Sequence, residues 1–400
     1  MRSPIKILWV ATKAPWPPID GGRLLLWHTL IGLAEAGADL TLVAPADPNA
    51  DPAFAMQKLR SVCRPFLVAR PRSTLSGHFV RALFQGAPVS VARHRFASVS
   101  NQVSELLSRD VFDLVQAEQL QAVDNCGYAQ LARVPLVLRS QNVESDLWYG
   151  LAKYRPHLRP LLLLEAQRLR SWEARAIKRL DATIAVTKQD AARLRALAEE
   201  PDKIHQVAAP FPAELPAGGT PPLRGAPAVV LFGNPAWLPN RDGALWFIRE
   251  IWPAIAKHFP HAVLHVFGTA PSIGRSESVV RHPTPSESAV AYSPTSVLIV
   301  PLRIASGVRI KILEAWARGV PVVAMPEAAA GLEAADGREL LMARDADEFI
   351  TALDSLSQPA TRETLCRSAR AFLRANHSPA MIAERLLALY DRIITNRQVP

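Results

Sequence analysis

Ser306–Gly307–Val308–Arg309–Ile310–Lys311–Ile312–Leu313–Glu314–Ala315–Trp316–Ala317–Arg318–Gly319–Val320–Pro321–Val322–Val323 reads as loop, helix, glycine stop and buried strand. It follows directly on another apolar run, Val297–Leu302. Strands that are apolar throughout, rather than alternating, are buried on both faces, and strand–helix–strand units of that kind build parallel sheets. Lys311 and Glu314 stand three apart and share one face of the helix. A glutamate there suits a ribose diol, and a cation suits a diphosphate; Ser306 and Gly307 would offer helix-start N–H groups to the same anion. The plain alternative is a surface ion pair worth ~0.3 kcal/mol. The apolar neighbours Ile310, Leu313 and Ala315 argue instead for a partly buried helix.

Working outward, the same unit recurs along the chain. Apolar runs at Ile5–Ala11, Leu40–Ala44, Phe66–Ala69, Phe112–Ala117, Leu136–Arg139, Ala182–Val186 and Ile204–Ala208 predict strands of a first half. Ala228–Phe232, Ala262–Phe267, Val297–Leu302 and Pro321–Met325 predict those of a second, with weaker runs at Val279–His282 and Glu339–Met342. Arg23–Ala36, Asn240–Lys257, Val308–Arg318 and Ala346–Leu356 read as crossover helices, and Arg159–Leu180 as a long charged helix of the first half. The expected fold class is α/β: two doubly wound, Rossmann-like domains facing across a cleft, with ligands outside the carboxyl ends of the strands. A Pro/Gly-rich stretch without periodicity divides them. The expected organisation is a first domain at residues 1–210, a linker at 211–224, a second domain at 225–377 and a C-terminal helix at 378–400. The stripe Ile382, Leu386, Leu389, Ile393 makes that helix amphipathic; it can pack on its own domain or cross back to the first.

Composition narrows the function. The chain has 400 residues, 49% hydrophobic and 20% charged, which excludes a disordered or collagen-like protein despite 34 prolines. Its net charge of +10, from 46 basic and 36 acidic residues, points to anionic partners. Lys58, Arg60, Arg64, Arg70, Arg72, Arg81, Arg93 and Arg95 follow one another with no acid between them, and Phe79, Val80, Leu83 and Phe84 are interleaved. The segment 58–95 is read either as a solvated face or as a surface for anionic lipid. Cys63, Cys126 and Cys366 are too few and too far apart for a disulfide framework or a cysteine zinc site, which fits a reducing cytosol. Ile5–Ala11 is too short for a signal-peptide core, and Leu161–Leu164 falls far below the ~18–20 apolar residues that span a bilayer. The expectation is a cytoplasmic protein, at most peripheral on the inner membrane. P-loop, zinc-protease, nucleophile-elbow and C-x-x-C motifs are absent, as is an Asp-x-Asp metal site; no basic–aromatic platform favours nucleic acid.

Three further constellations lie at predicted strand ends. Pro15–Trp16–Pro17–Pro18–Ile19–Asp20–Gly21–Gly22–Arg23 leads from the opening strand into a helix, where paired glycines permit a tight turn or seat a phosphate on free N–H groups. Gly233–Asn234–Pro235–Ala236–Trp237–Leu238–Pro239–Asn240–Arg241 ends another strand, and Asn240 is a possible N-cap that would leave Arg241 in solvent. Arg139–Ser140–Gln141–Asn142–Val143–Glu144–Ser145, joined by Glu118, has the polarity of pocket lining; the alternative makes both acids exposed loop residues.

Taken together, these motifs resemble the retaining glycosyltransferases of family four, which have the GT-B fold, and among them bacterial sugar transferases for exopolysaccharide and surface glycans. The resemblance runs along essentially the whole chain and is strongest in Pro17–Gly22, Pro239–Phe247, Pro301–Val323 and Ala330–Glu333. It implies that Glu314, Gly233, Asn234, Ser306, Gly307, Val308, Arg309 and Gly21 bind a nucleoside-diphosphate sugar. Lys311, Arg241 and Gly22 would stabilise the departing diphosphate, while Glu118, Gln141, Asn142 and Asp20 would line the acceptor and sugar pocket. Ser306 stands where many members carry the first glutamate of a Glu-x7-Glu motif, and Gln141 where relatives often carry histidine. The implied reaction is metal-independent hexose transfer with retention to a glycan or polyprenyl-diphosphate-linked hydroxyl, with no cofactor. The alternatives are a GT-B subunit that binds without transferring, and a nucleotide-sugar epimerase.

Overall fold

The computed structural model describes residues 3–48, 50–70, 82, 86–127, 134–216, 218, 222–234, 237–268, 277–285 and 287–398. Arg72, Phe79, Val80, Arg81, Leu83 and Phe84 of the basic segment therefore lie outside the described residues, as do 217 and 219–221 of the expected linker and Pro235 and Ala236.

Every expected strand is present. The first sheet contains β1 (Lys6–Ala11), β2 (Asp39–Pro45), β3 (Arg64–Val68), β4 (Leu114–Glu118), β5 (Leu136–Ser140), β6 (Ala182–Ala185) and β7 (Ile204–Gln206), in the order β3-β2-β1-β4-β5-β6-β7. The second contains β8 (Ala228–Phe232), β9 (Val263–Phe267), β10 (Val279–His282), β11 (Ser296–Val300), β12 (Val322–Ala324) and β13 (Leu341–Met342), in the order β10-β9-β8-β11-β12-β13. All pairings between these strands are parallel. The apolar monotony of the strands has its expected consequence: Ile7, Leu8, Trp9 and Val10 of β1 all have 0% exposure, two on each face.

The Asn240–Lys257 helix predicted from the sequence starts earlier, at Leu238, and continues through a π-helical stretch at Phe247–Ile251 into Trp252–His258. The Val308–Arg318 prediction shortens to Ile310–Ala317. That difference matters below, because it moves the helix start two residues further away from Ser306 and Gly307. Of the two placements open to the C-terminal helix, Pro379–Gln398 takes the return: Ile382, Leu386 and Leu389 join the first-sheet core with Trp9 and Leu30. Tyr390 Oη donates to Gln116 Oε1 of β4 at 2.8 Å. The two chain crossings are tied together, since Phe211 N donates to His377 O at 2.8 Å and His377 Nδ1 to Ala209 O at 2.7 Å.

Candidate active site

Each sheet reverses its strand order once, between β1 and β4 and between β8 and β11. Such reversals open crevices beyond the carboxyl ends of the strands. The two crevices meet: Gly21 lies against Ile310, so that a Cβ there would stand 3.3 Å from the Ile310 Cβ.

In the second-domain half, Lys311 reaches back across the end of β8. Its Nζ donates to Phe232 O at 2.6 Å and to Asn240 Oδ1 at 2.8 Å, leaving one ammonium N–H unclaimed among the described residues. Burial, and then the neighbouring Arg309 guanidinium, push the Lys311 pKa down to about 7. Glu314 follows one turn on. Its Oε1 accepts from Ser288 Oγ at 2.5 Å and from Arg318 Nε and Nη2 at 3.1 and 3.0 Å; Oε2 is buried without a hydrogen bond of good geometry, the Tyr292 hydroxyl standing beside the carboxylate. Burial raises the Glu314 pKa. Arg309 is buried over the Trp237 ring at 5.4 Å, with Nη1 also unpartnered. Val308 packs against the core of this domain. Arg241 is exposed in the first turn of Leu238–Trp246, without an ion pair among the described residues. Asn240 is not its cap: Trp237 holds that position, and Asn240 is buried to serve Lys311 and to donate to Asn234 O at 3.2 Å. Gly233 makes room for it, because a Cβ at Gly233 would lie 2.7 Å from the Asn240 amide.

In the first-domain half several expectations are corrected. Asp20 is not pocket lining: it is the N-cap of Gly21–Glu35, accepting from Arg23 N at 3.0 Å and from Lys13 Nζ at 2.8 Å. The N–H groups of Gly21 and Gly22 behind it are claimed by no acceptor among the described residues. A Cβ at Gly22 would meet Gln141 Oε1 at 2.8 Å. Glu118 is not an exposed loop residue: with Gln119, Gln141 and Gly22 it lines a small cavity, and its carboxylate there is committed to neighbouring side chains. It is 2% exposed, paired with Arg139 Nη2 at 2.9 Å and hydrogen-bonded by Trp9 Nε1 at 3.0 Å and Gln141 Nε2 at 2.6 Å. Gln141 is itself committed, because its Oε1 accepts from Gln119 Nε2 at 2.8 Å. Glu144 opens the helix that follows this strand end, beside Gln121 and Asn142. Burial raises its pKa, Gln121 hydrogen-bonds it and Arg93 faces it.

Ser306 and Gly307 are corrected as well. Gly307 N donates to Asp190 Oδ2 at 2.8 Å, Ser306 Oγ donates to Asp190 Oδ1 at 2.9 Å, and Val143 N donates to Ser306 Oγ at 2.8 Å. With its amide oriented to satisfy both neighbours, Asn142 donates to Ser306 O at 2.8 Å and to Gln141 O at 3.2 Å. Gly307 has φ of 73°, and a Cβ there would strike Gln141 O, so only glycine fits this crossing. The loop clasps the two domains together; its N–H group is spent on Asp190 and does not face a ligand. Asp190 was missed in the sequence. The spacing Thr187-x-x-Asp190 carries the signal of a capped helix start, and Thr187 does cap Lys188–Arg195. Nothing in that spacing foretells a partner 116 residues away. Among the described residues, no group of three or more His, Cys, Asp or Glu is placed to hold a metal ion.

The fold has counterparts among known proteins. A model of the family described as glycosyl transferases group 1 matches residues 226–359, the second sheet and its helices. No curated protein matches the chain in sequence. Among solved structures, sucrose-phosphate synthase from Thermosynechococcus elongatus is 17% identical, with 99% of this chain and 100% of that chain covered and a TM-score of 0.68. Anabaena HepE in complex with UDP-glucose is 15% identical, with coverage of 97% and 100% and a TM-score of 0.65. A glycosyltransferase from Rickettsia africae is 12% identical, with coverage of 99% and 100% and a TM-score of 0.61. At these identities the likeness establishes the fold: two Rossmann-like domains arranged as in GT-B glycosyltransferases.

Proposed function

We propose that the chain transfers a hexose from a nucleoside-diphosphate sugar to an acceptor hydroxyl, with retention and without a metal. The observation that carries this reading is the pairing of Lys311 and Glu314 on one helix face at the end of β8. One offers an uncommitted N–H and the other a buried carboxylate oxygen without a hydrogen bond of good geometry. A buried acceptor without a donor costs roughly 1–3 kcal/mol, and a ribose hydroxyl would relieve it. Arg309 and Lys311 would draw the diphosphate towards the free N–H groups of Gly21 and Gly22, with exposed Arg241 at the rim. As the glycosidic bond to the diphosphate breaks, charge grows on its leaving oxygen, where preformed donors act most strongly; losing one typically costs ~10²–10³ in rate. The acceptor hydroxyl would then attack from the same face and pass its proton to a donor phosphate oxygen. Glu144 is placed to orient that hydroxyl in the first-domain half.

The group 1 match and the HepE complex with UDP-glucose make UDP-glucose the first donor to try. The acceptor we infer is a glycan or polyprenyl-diphosphate-linked chain of surface-polysaccharide synthesis at the cytoplasmic face of the membrane. A panel of nucleoside-diphosphate sugars scored by thermal shift tests the donor side, since a ligand at ~100 times its Kd adds about 2.7 kcal/mol of stability. One or more should raise the melting temperature, nucleotide should be released only with acceptor present, and chelator should leave the rate unchanged. Proton NMR of the product should show the donor's anomeric configuration. The commitment of Ser306 and Gln141 to internal bonds favours a second reading, a subunit that binds the donor without transferring it. Donor binding with no turnover on any lipid-linked acceptor would select that one.

A further inference from the structure

Among the described residues, eight large apolar side chains are exposed, and four of them fall in one corner. Tyr154 (38%), Leu158 (44%), Leu161 (55%) and Leu164 (56%) lie where the Glu144–Tyr154 helix turns into Arg159–Arg179. Scattered single leucines on a surface are ordinary; a cluster of this kind is not. Leu161 and Leu164 are three apart and share the outer face, while Leu162 and Leu169 turn inward to 7% and 0% exposure.

The charge around the corner is mainly positive. Between Leu147 and Leu180 the chain has only two carboxylates, Glu165 and Glu173. Both are buried and committed: Glu165 accepts from Val89 N at 2.5 Å, and Glu173 accepts from Glu144 N at 2.6 Å. Lys153, Arg159, Arg170 and Arg175 are exposed around the leucines. Asp146, on the first of the two helices, is part-exposed and paired with Arg193 at 3.1 Å, so cations still outnumber free carboxylates around the leucines; such a surface matches the interface of an anionic bilayer, where acyl chains lie beneath negative headgroups. No helix among the described residues is long and apolar enough to cross a membrane, so the contact would be with its surface.

The corner also adjoins the cleft. The Arg303 guanidinium of the second domain lies 4.4 Å from the centre of the Tyr154 ring, and Arg155 pairs with Asp242 at 3.5 Å. We propose that the corner from Tyr154 to Leu164 docks the protein on an anionic lipid bilayer, holding the mouth of the cleft against the membrane. The leucines themselves lie outside the segment 58–95, whose end packs on the same helix: Arg168 Nη2 donates to Ala87 O at 2.7 Å, and Arg95 and Arg175 both stack on Trp172. The docking itself stands whatever reaction the cleft runs; only the delivery of a lipid-linked acceptor to it rests on the proposed transfer.

Flotation with phosphatidylcholine vesicles, with and without phosphatidylglycerol, tests the docking. The full chain should float with the anionic vesicles and not with phosphatidylcholine alone. Leu161→Ser with Leu164→Ser should weaken binding at least about tenfold, and Arg159→Glu or Arg170→Glu about fivefold or more each. All variants should keep the wild-type melting temperature and donor-induced thermal shift, so a failed donor assay and a failed docking assay are distinguishable. Wild-type protein that stays unbound on phosphatidylglycerol, or variants that float as well as wild type, would overturn the proposal. So would a dimer in sedimentation that the leucine variants dissociate, because a second copy would then be what covers the patch.

Discussion

Glu118 and Glu314 occupy comparable places, each buried beside the carboxyl edge of a six- or seven-stranded parallel sheet, yet their surroundings are opposite. Both oxygens of Glu118 are taken, by Arg139, Trp9 and Gln141, and the Arg139 guanidinium also stacks 5.1 Å from the Trp9 ring. Glu314 has one oxygen committed and the other without a hydrogen bond of good geometry. A buried polar group that is fully satisfied stabilises a particular packing, whereas one left half-satisfied is a cost the fold carries until a ligand relieves it. The contrast separates the two acids, although residue type and burial are the same, and it is what the proposed donor-binding role of Glu314 rests on.

The largest expected effect tests the structural side. Glu118→Ala leaves the Arg139 charge buried among Trp9 and Thr29, and should lower unfolding free energy by about 3–5 kcal/mol in denaturant melts. A loss below about 1 kcal/mol would break the contrast. On the functional side, Glu314→Ala should weaken donor binding by calorimetry about 10–100-fold, the range for hydrogen bonds to charged groups. Its stability should fall less than that of Glu118→Ala, because Arg318 keeps its bond to Pro216 O at 2.7 Å. The smallest effect sharpens the picture through Lys311, whose pKa of about 7 is depressed by burial. A diphosphate beside the amine favours its charged form, so binding raises that pKa and takes up a proton. Donor Kd should hold steady below pH 7 and rise above it, by at most tenfold per pH unit. Calorimetry in buffers of different ionisation enthalpy checks the uptake, and Lys311→Met should abolish the pH dependence.

Much of this was legible before the coordinates. The strands could be read because runs such as Ala228–Val229–Val230–Leu231–Phe232 are apolar at every position, which only burial on both faces allows. Lys311 and Glu314 could be paired because helix geometry alone puts residues three apart on one face. The first-domain pocket was not legible in the same way. Glu118, Asp20 and Gln141 look alike in sequence as polar residues at strand ends, and what separates them is which donors reach them from distant segments. Trp9 lies 109 residues from Glu118, and Gln119 lies 22 residues from Gln141.

The amino-acid sequence by itself determined two sets of buried strands fit for parallel sheets, and a helix that sets a cation and an acid side by side. Those are consequences of periodicity, which acts over a few residues. The tertiary structure alone decided that Ser306–Gly307 joins the domains through Asp190, that the last helix returns to the first sheet, and that of two buried acids one is satisfied and one is not. Each depends on which hydrogen-bond donors arrive from elsewhere in the chain, and local spacing carries no record of that.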